Sequence, residues 1–199
     1  MKSILIISIY FILWAVVHSF LASLTAKHFA EKIFGGQTRK YYRLFFVLFA
    51  VITLLPLLYL LITLPDKNLY TIRTPFSFFM TGGQIFGGII IILSILITEP
   101  LDFIGIAQLR RNYKPPSNPL KKNGIYGWVR HPMYFGSLII MWCIPSMTVN
   151  YFALFVCMTV YFYIGSIHEE ILLTHSFGPK YEKYKSEIPR ILPRIFRSS

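Results

Sequence analysis

Residues 133–167, MYFGSLIIMWCIPSMTVNYFALFVCMTVYFYIGSI, contain no Asp, Glu, Lys or Arg. Asn150 divides the stretch into two apolar runs, 133–149 and 151–167, of 17 residues each. As one straight helix it would be roughly 50 Å long, far more than the ~30 Å of a bilayer's hydrocarbon core. Each half alone is near the lower limit of a span. The stretch therefore predicts a helical hairpin turning at Asn150.

Upstream lie three more runs without a charged side chain, 3–26, 44–64 and 76–98. Each has about the 20 apolar residues that a crossing needs. Apolar types make up 55% of the 199 residues and charged ones only 14%, against ~25% in a soluble domain. That composition excludes a disordered chain and argues against a soluble one. The 20 Lys and Arg outnumber the 8 Asp and Glu. They cluster in 27–43, 99–131 and 168–199, leaving only Lys2, Lys67 and Arg73 elsewhere. Such alternation is the positive-inside pattern. It predicts an all-α integral membrane protein of five transmembrane helices ending in the C-terminal helical hairpin. The N-terminus would be outside and the C-terminus cytoplasmic. The expected location is a multi-pass membrane position, such as the inner membrane of a bacterium or archaeon. The same pattern accounts for the basic charge without nucleic acid, for which no binding motif is present.

The positive flank that follows the first run predicts a retained anchor rather than a cleaved signal peptide. Cys143 and Cys157 both sit in apolar runs, as small buried hydrophobes do. In organisation, 1–98 supplies three spans. Residues 99–199 supply a cytoplasmic loop, the hairpin and a cytoplasmic C-terminal helix, all within a single membrane domain. Pro56 is expected to kink the second helix. Gly83 and Gly87, flanked by Gly82 and Gly88, form a small-xxx-small pair of the kind that permits close helix packing. His18, inside the first run, suits either a packed histidine or a functional one.

The polar segments carry the chemistry. An antiparallel hairpin places Arg130 and His131 at the depth of His168, Glu169 and Glu170. Pro132 suits the first position of a helix, so His131 stands at a helix start, where free N–H groups attract anions. Arg130, His131 and that helix end would hold a carboxylate or phosphate. Glu169 or Glu170 would hold an ammonium group close by. A small head bearing both charges, such as an amino acid, suits the pair. The same residues also suit blander roles. Arg130 could be an interfacial anchor, and the glutamates a solvated face paired with Lys180 or Lys183. His168 and His175 lack the H-E-x-x-H spacing, so no metal site is expected.

Gly124-Ile125-Tyr126, then Arg130-His131-Pro132-x-Tyr134, then Glu169-Glu170, Phe177-Gly178-x-x-Tyr181-x-x-Tyr184 and Pro189-Arg190 with Pro193, together form an ordered pattern. It resembles the signature of integral membrane methyltransferases of the isoprenylcysteine carboxyl methyltransferase and phospholipid methyltransferase type. The first two helices look more like a bacterial branch that includes thiol methyltransferases and NnrU-like proteins. The resemblance implies S-adenosylmethionine as cofactor. It implies contacts to that cofactor from Asn118, Pro119, Leu120 and Lys121, from Tyr126, from His131, Pro132, Met133 and Tyr134, and from Glu169. In the prenylcysteine enzymes an arginine one turn before the glutamate serves the substrate carboxylate. Here that position is Gly165, which argues against a prenylcysteine substrate.

The implied reaction is in-line methyl transfer to a small or lipophilic acceptor, a thiol, carboxylate or amine. Catalysis is then mostly positioning and desolvation. Arg130, His168 and Glu170 are the catalytic candidates, the last two as a base for a neutral nucleophile. The expected partners are the lipid bilayer and that acceptor. Two alternatives remain open: an NADPH-dependent membrane reductase of the sterol reductase type, which shares a similar Arg-His-Pro-x-Tyr, and a non-enzymatic NnrU-like membrane protein.

Overall fold

A computed structural model describes residues 2–110 and 120–194. Its elements, in order, are α1 (Lys2–Ala22), α2 (Leu24–Phe34), α3 (Thr38–Thr63), β1 (Asn68–Thr71), α4 (Phe76–Ile97) and α5 (Pro100–Phe103). There follow 3-10 turns at Ala107–Leu109 and Gly124–Gly127, then α6 (Pro132–Trp142), β2 (Ser146–Thr148), α7 (Val149–Phe177) and α8 (Pro179–Glu187). The fold is thus almost entirely helical. α1, α3, α4 and α7 are long and apolar enough to cross a membrane.

The contacts group into two units that interleave along the chain. The first comprises Met1–Leu69, Thr98–Lys114 and Met147–Cys157. In it α1 packs on α3, and Ile7, Phe11 and Ala15 form a buried stripe along α1 at four-residue spacing. Two polar ties fix the pair. The Tyr10 hydroxyl donates to the Thr53 carbonyl (2.7 Å), and Trp14 Nε1 donates to Thr53 Oγ1 (3.0 Å). Ser23 ends α1 and caps α2, its hydroxyl accepting from the Ala26 N–H at 3.2 Å. Pro56 lies inside α3, which continues through it. Gly105 has φ 88°, and a Cβ there would lie 2.5 Å from the Leu44 nitrogen, so only glycine lets this turn rest on α3.

The start of α7 also belongs to this unit, and it departs from the expected hairpin. The turn is not at Asn150. α6 stops at Trp142, Pro145 interrupts the apolar run, and the chain runs extended through β2 before α7 begins at Val149. Proline has no N–H and clashes with the preceding turn, so α6 cannot continue across it. Asn150 instead lies in the first turn of α7 and is buried. Its backbone N–H donates to Asp66 Oδ1 at 3.0 Å, and its amide donates to the Pro65 carbonyl at 3.3 Å. The carboxylate thereby answers an N–H that the helix itself leaves open. α6, of 11 residues, is only about 16 Å long, whereas α7 has 29 residues.

The second unit comprises Tyr70–Ile97, Pro115–Ser146 and Met158–Ser199. Here α4 and α6 pack backbone against backbone. A Cβ on Gly87 would come within 2.6 Å of the Gly136 carbonyl oxygen, and one on Gly136 equally close to that of Gly87. A Cβ on Gly83 would meet Cys143 Sγ at 2.8 Å, whereas Gly82 and Gly88 face open space. Of the four neighbouring glycines, only Gly83 and Gly87 therefore form the close seam. Gly87→Leu should lower the thermal unfolding temperature markedly, at a cost of ~3 kcal/mol from overpacking. Gly88→Leu should leave it nearly unchanged, so equal losses in the two variants would refute the seam.

Candidate functional site

The seam matters because it holds the start of α6, where the polar residues gather. The 3-10 turn at Gly124–Gly127 leads through buried Val129 to Arg130 and His131, and Pro132 opens α6. The backbone of this approach is fixed from outside. The Arg130 N–H donates to the Pro189 carbonyl (2.9 Å), and the His131 N–H donates to the Arg190 carbonyl (3.0 Å).

Side chains complete the junction. Arg130 places Nε and Nη2 on Glu170 Oε1, each at 2.8 Å, and Nη1 on the Lys185 carbonyl at 2.7 Å and on that of Ile188. Glu170 Oε2 accepts from Arg190 Nη2 at 3.0 Å, and Oε1 lies 3.2 Å from His131 Nε2. The Arg130 and Glu170 side chains are only 8% and 3% exposed. Both oxygens of Glu170 are therefore engaged, and its charge is compensated by two guanidinium groups.

Glu169, its neighbour in sequence, has a different fate. Its side chain is 49% exposed, with Oε2 at 3.4 Å from His131 Nδ1 and 3.3 Å from the Tyr134 hydroxyl. The buried His131 ring thus has a carboxylate at each nitrogen. Its face stacks on Tyr134 (centroids 5.4 Å apart), which stacks in turn on Phe162 (5.2 Å). Gly165 leaves room beside this stack, since a Cβ there would meet only the Tyr134 hydroxyl, at 3.7 Å.

Tyr126 and Tyr184 close the site below. The Tyr184 hydroxyl donates to the Tyr126 carbonyl at 2.6 Å. Burial, and then the charge of Glu169, push the Tyr126 phenol up to about 12. Burial pushes the Tyr184 phenol up to about 12 as well. The Tyr181 side chain is buried, and among the described residues its hydroxyl has no hydrogen-bond partner.

The structure thus brings together Arg130, His131, Tyr134, Glu169 and Glu170 from the expected set. Pro132 and Met133 are the first two residues of α6, and Leu120 and Lys121 are half-buried just ahead of the 3-10 turn. Asn118 and Pro119 lie outside the described residues. His168 does not join the cluster. It is exposed, and two residues from Glu170 on a helix means about 200° around the axis. His168 therefore lies near the depth of Glu170, as expected, but on another face of the helix. Arg190, Phe162 and Lys185 were not among the expected site residues. For Arg190 a signal existed: two adjacent glutamates at a membrane boundary call for more than one cation.

A short helix entered through Arg-His-Pro thus faces the paired glutamates of α7. The phospholipid methyltransferase family model matches residues 80–180, and the chain belongs to that family. Among curated relatives, the methanethiol S-methyltransferase of Pseudomonas deceptionensis is 33% identical over 114 residues, covering 56% of this chain and 43% of that enzyme. Methanethiol S-methyltransferase 1 of Bradyrhizobium diazoefficiens is 27% identical over 189 residues, 91% of this chain and 64% of that one. The human protein-S-isoprenylcysteine O-methyltransferase is 37% identical over 93 residues, 43% of this chain and 31% of that one. The chain spans about half the length of the relatives it matches. No solved structure matches it.

Proposed function

We propose that the protein is an integral membrane methyltransferase that uses S-adenosylmethionine and methylates a small thiol. The observation that carries this reading is the half-exposed Glu169 carboxylate beside buried His131 at the start of α6. The donor set suits the amino-acid head of the cofactor. Glu169 is the carboxylate left available for an ammonium group, because Glu170 is already compensated. Met133 and Tyr134 lie in the first turn of α6, whose N–H groups have no partner within the helix and suit a carboxylate. When bound, S-adenosylmethionine supplies an electrophilic methyl group. The protein's own task is then to bind, orient and exclude water.

In this reading Arg130 and Glu170 are positioning residues. They fix His131 against the 188–190 segment and do not exchange a proton. His168, on the far side of α7, takes no part. The acceptor reacts as its thiolate, which is the nucleophile, and the thiol proton passes to water before the methyl group is transferred. The curated relatives named methanethiol S-methyltransferases favour a thiol acceptor, as does the missing arginine at 165. Purified protein given labelled S-adenosylmethionine and methanethiol should release labelled dimethyl sulfide. Binding of NADPH in place of S-adenosylhomocysteine would overturn the reading in favour of a reductase. A farnesylcysteine carboxylate should be methylated poorly or not at all, and efficient turnover of it would show the inference from Gly165 to be wrong.

The charge pattern further supports five crossings with the N-terminus outside and the C-terminus in the cytoplasm, the fifth made by α6 together with its extended continuation. A cysteine placed at 68 should then react with an impermeant maleimide only from outside. Reaction from the cytosol alone would refute this topology.

A further inference from the structure

Two cavities in the first unit lie outside everything described so far. One, of about 220 Å³, is lined by Lys27, Glu31, Arg39, Tyr42, Arg43 and Gln108. The other, of about 460 Å³, is an apolar groove lined by Ala30, Phe34, Tyr41 and Phe45 among others. They are contiguous, because Thr38 and Tyr42 line both.

The polar cavity gathers three cations around one carboxylate. Glu31 is already spent on Arg39, which places Nε on its Oε1 and Nη2 on its Oε2 at 3.1 Å. Arg43 is held in place by its Nε–H bond to the Phe103 carbonyl at 3.0 Å. Lys27 has no acidic partner among the described residues. Partial burial and the Arg43 charge both hold its pKa below the usual lysine value. Like charges gathered in this way favour an anion between them. The side-chain oxygen of Gln108 is buried and accepts no hydrogen bond from the described residues. The apolar groove presents Phe34, Tyr41 and Phe45, all more than half exposed, at the level where charged sequence gives way to the uncharged run beginning at Leu44. Apolar surface of this kind at a membrane boundary is covered by lipid.

We propose that these two cavities form one site for an anionic glycerophospholipid. Its phosphate lies between Lys27 and Arg43, a head-group hydroxyl donates to Gln108, and the upper part of one acyl chain lies in the groove beside Ala30 and Phe45. The occupant is a resident lipid, held by its phosphate and by the upper part of one chain. The proposal does not depend on the methyltransferase reading.

Native mass spectrometry of the delipidated full chain in detergent tests it, with unfolding temperature as an independent check on folding. Dioleoylphosphatidylglycerol should bind more tightly than dioleoylglycerol, which lacks the phosphate, and glycerol 1-phosphate, which lacks the chains, should not displace it. Lys27→Gln should weaken phosphatidylglycerol binding at least about 5-fold, and Lys27→Arg should restore it. Ala30→Trp, which fills the groove, should weaken it comparably. Lys32→Gln removes a charge from the same helix outside the cavity and should have no effect. Equal binding by Lys27→Gln and Lys32→Gln, or no effect of Ala30→Trp, would overturn the proposal. Displacement by glycerol 1-phosphate would overturn it in favour of a free phosphate site.

Discussion

Glu170→Gln should be the most damaging single substitution in the second unit. It keeps the shape but removes the charge that compensates Arg130 and Arg190. Stranding one member of a buried ion pair costs roughly 3–5 kcal/mol, a large part of the 5–15 kcal/mol that holds a typical domain together. Thermal unfolding should shift far downward, and S-adenosylhomocysteine binding should be lost with it. The matched double variant Arg130→Met with Glu170→Met should be less destabilised than Glu170→Gln, because no uncompensated pair is left behind. Arg190→Gln should be milder still, since that side chain is 30% exposed. If Glu170→Gln melted like the wild type, the cluster would not be holding His131 in place.

Glu169→Gln should behave in the opposite way. The side chain is half exposed, so the fold should tolerate the change with little loss of stability. Affinity for S-adenosylhomocysteine should nevertheless fall about 10- to 100-fold, because a charged hydrogen bond to the ammonium is worth roughly 1.5–3 kcal/mol. Calorimetry in detergent measures this directly. Glu182→Gln, at an exposed position of α8, is the control. Wild-type affinity in a folded Glu169→Gln protein would remove the glutamate from the proposed site. The two adjacent glutamates should thus separate stability from binding, and a single melting and titration experiment on both variants reads the separation.

In the residues themselves that difference is not legible, and only the family resemblance points to Glu169. Two neighbouring glutamates look alike there, and either could be assigned to the ammonium. The difference arises from 100° of helix rotation, which turns Glu170 toward Arg130 and Arg190 and leaves Glu169 toward open space. The meeting of Arg130 and His131 with the glutamates was legible, because an apolar hairpin returns the chain to the depth at which it left. The location of the turn was not. Asn150 is the most polar residue of the stretch, and polarity suggests a turn. Pro145 decides the matter sterically, and Asn150 is satisfied by contacts at 65 and 66, which no local pattern reveals. Arg190 escaped for the same reason: its partner is 20 residues away. The glycine seam was half visible. The spacing gave Gly83 and Gly87, but only the approach of Gly136 explains why Gly82 and Gly88 are spared.

The backbone bonds from Arg130 and His131 to Pro189 and Arg190 also have a bearing on biosynthesis. Every described helix precedes residue 188 in the chain, so all of them are synthesised before the partners of the His131 backbone exist. A nascent chain that ends at Glu187 would carry α1 through α8 and could insert them, yet Arg130 would have no Ile188 carbonyl to grip and Glu170 no second guanidinium. The buried cluster around Glu170 is thus complete only when residues 188–190 have joined it.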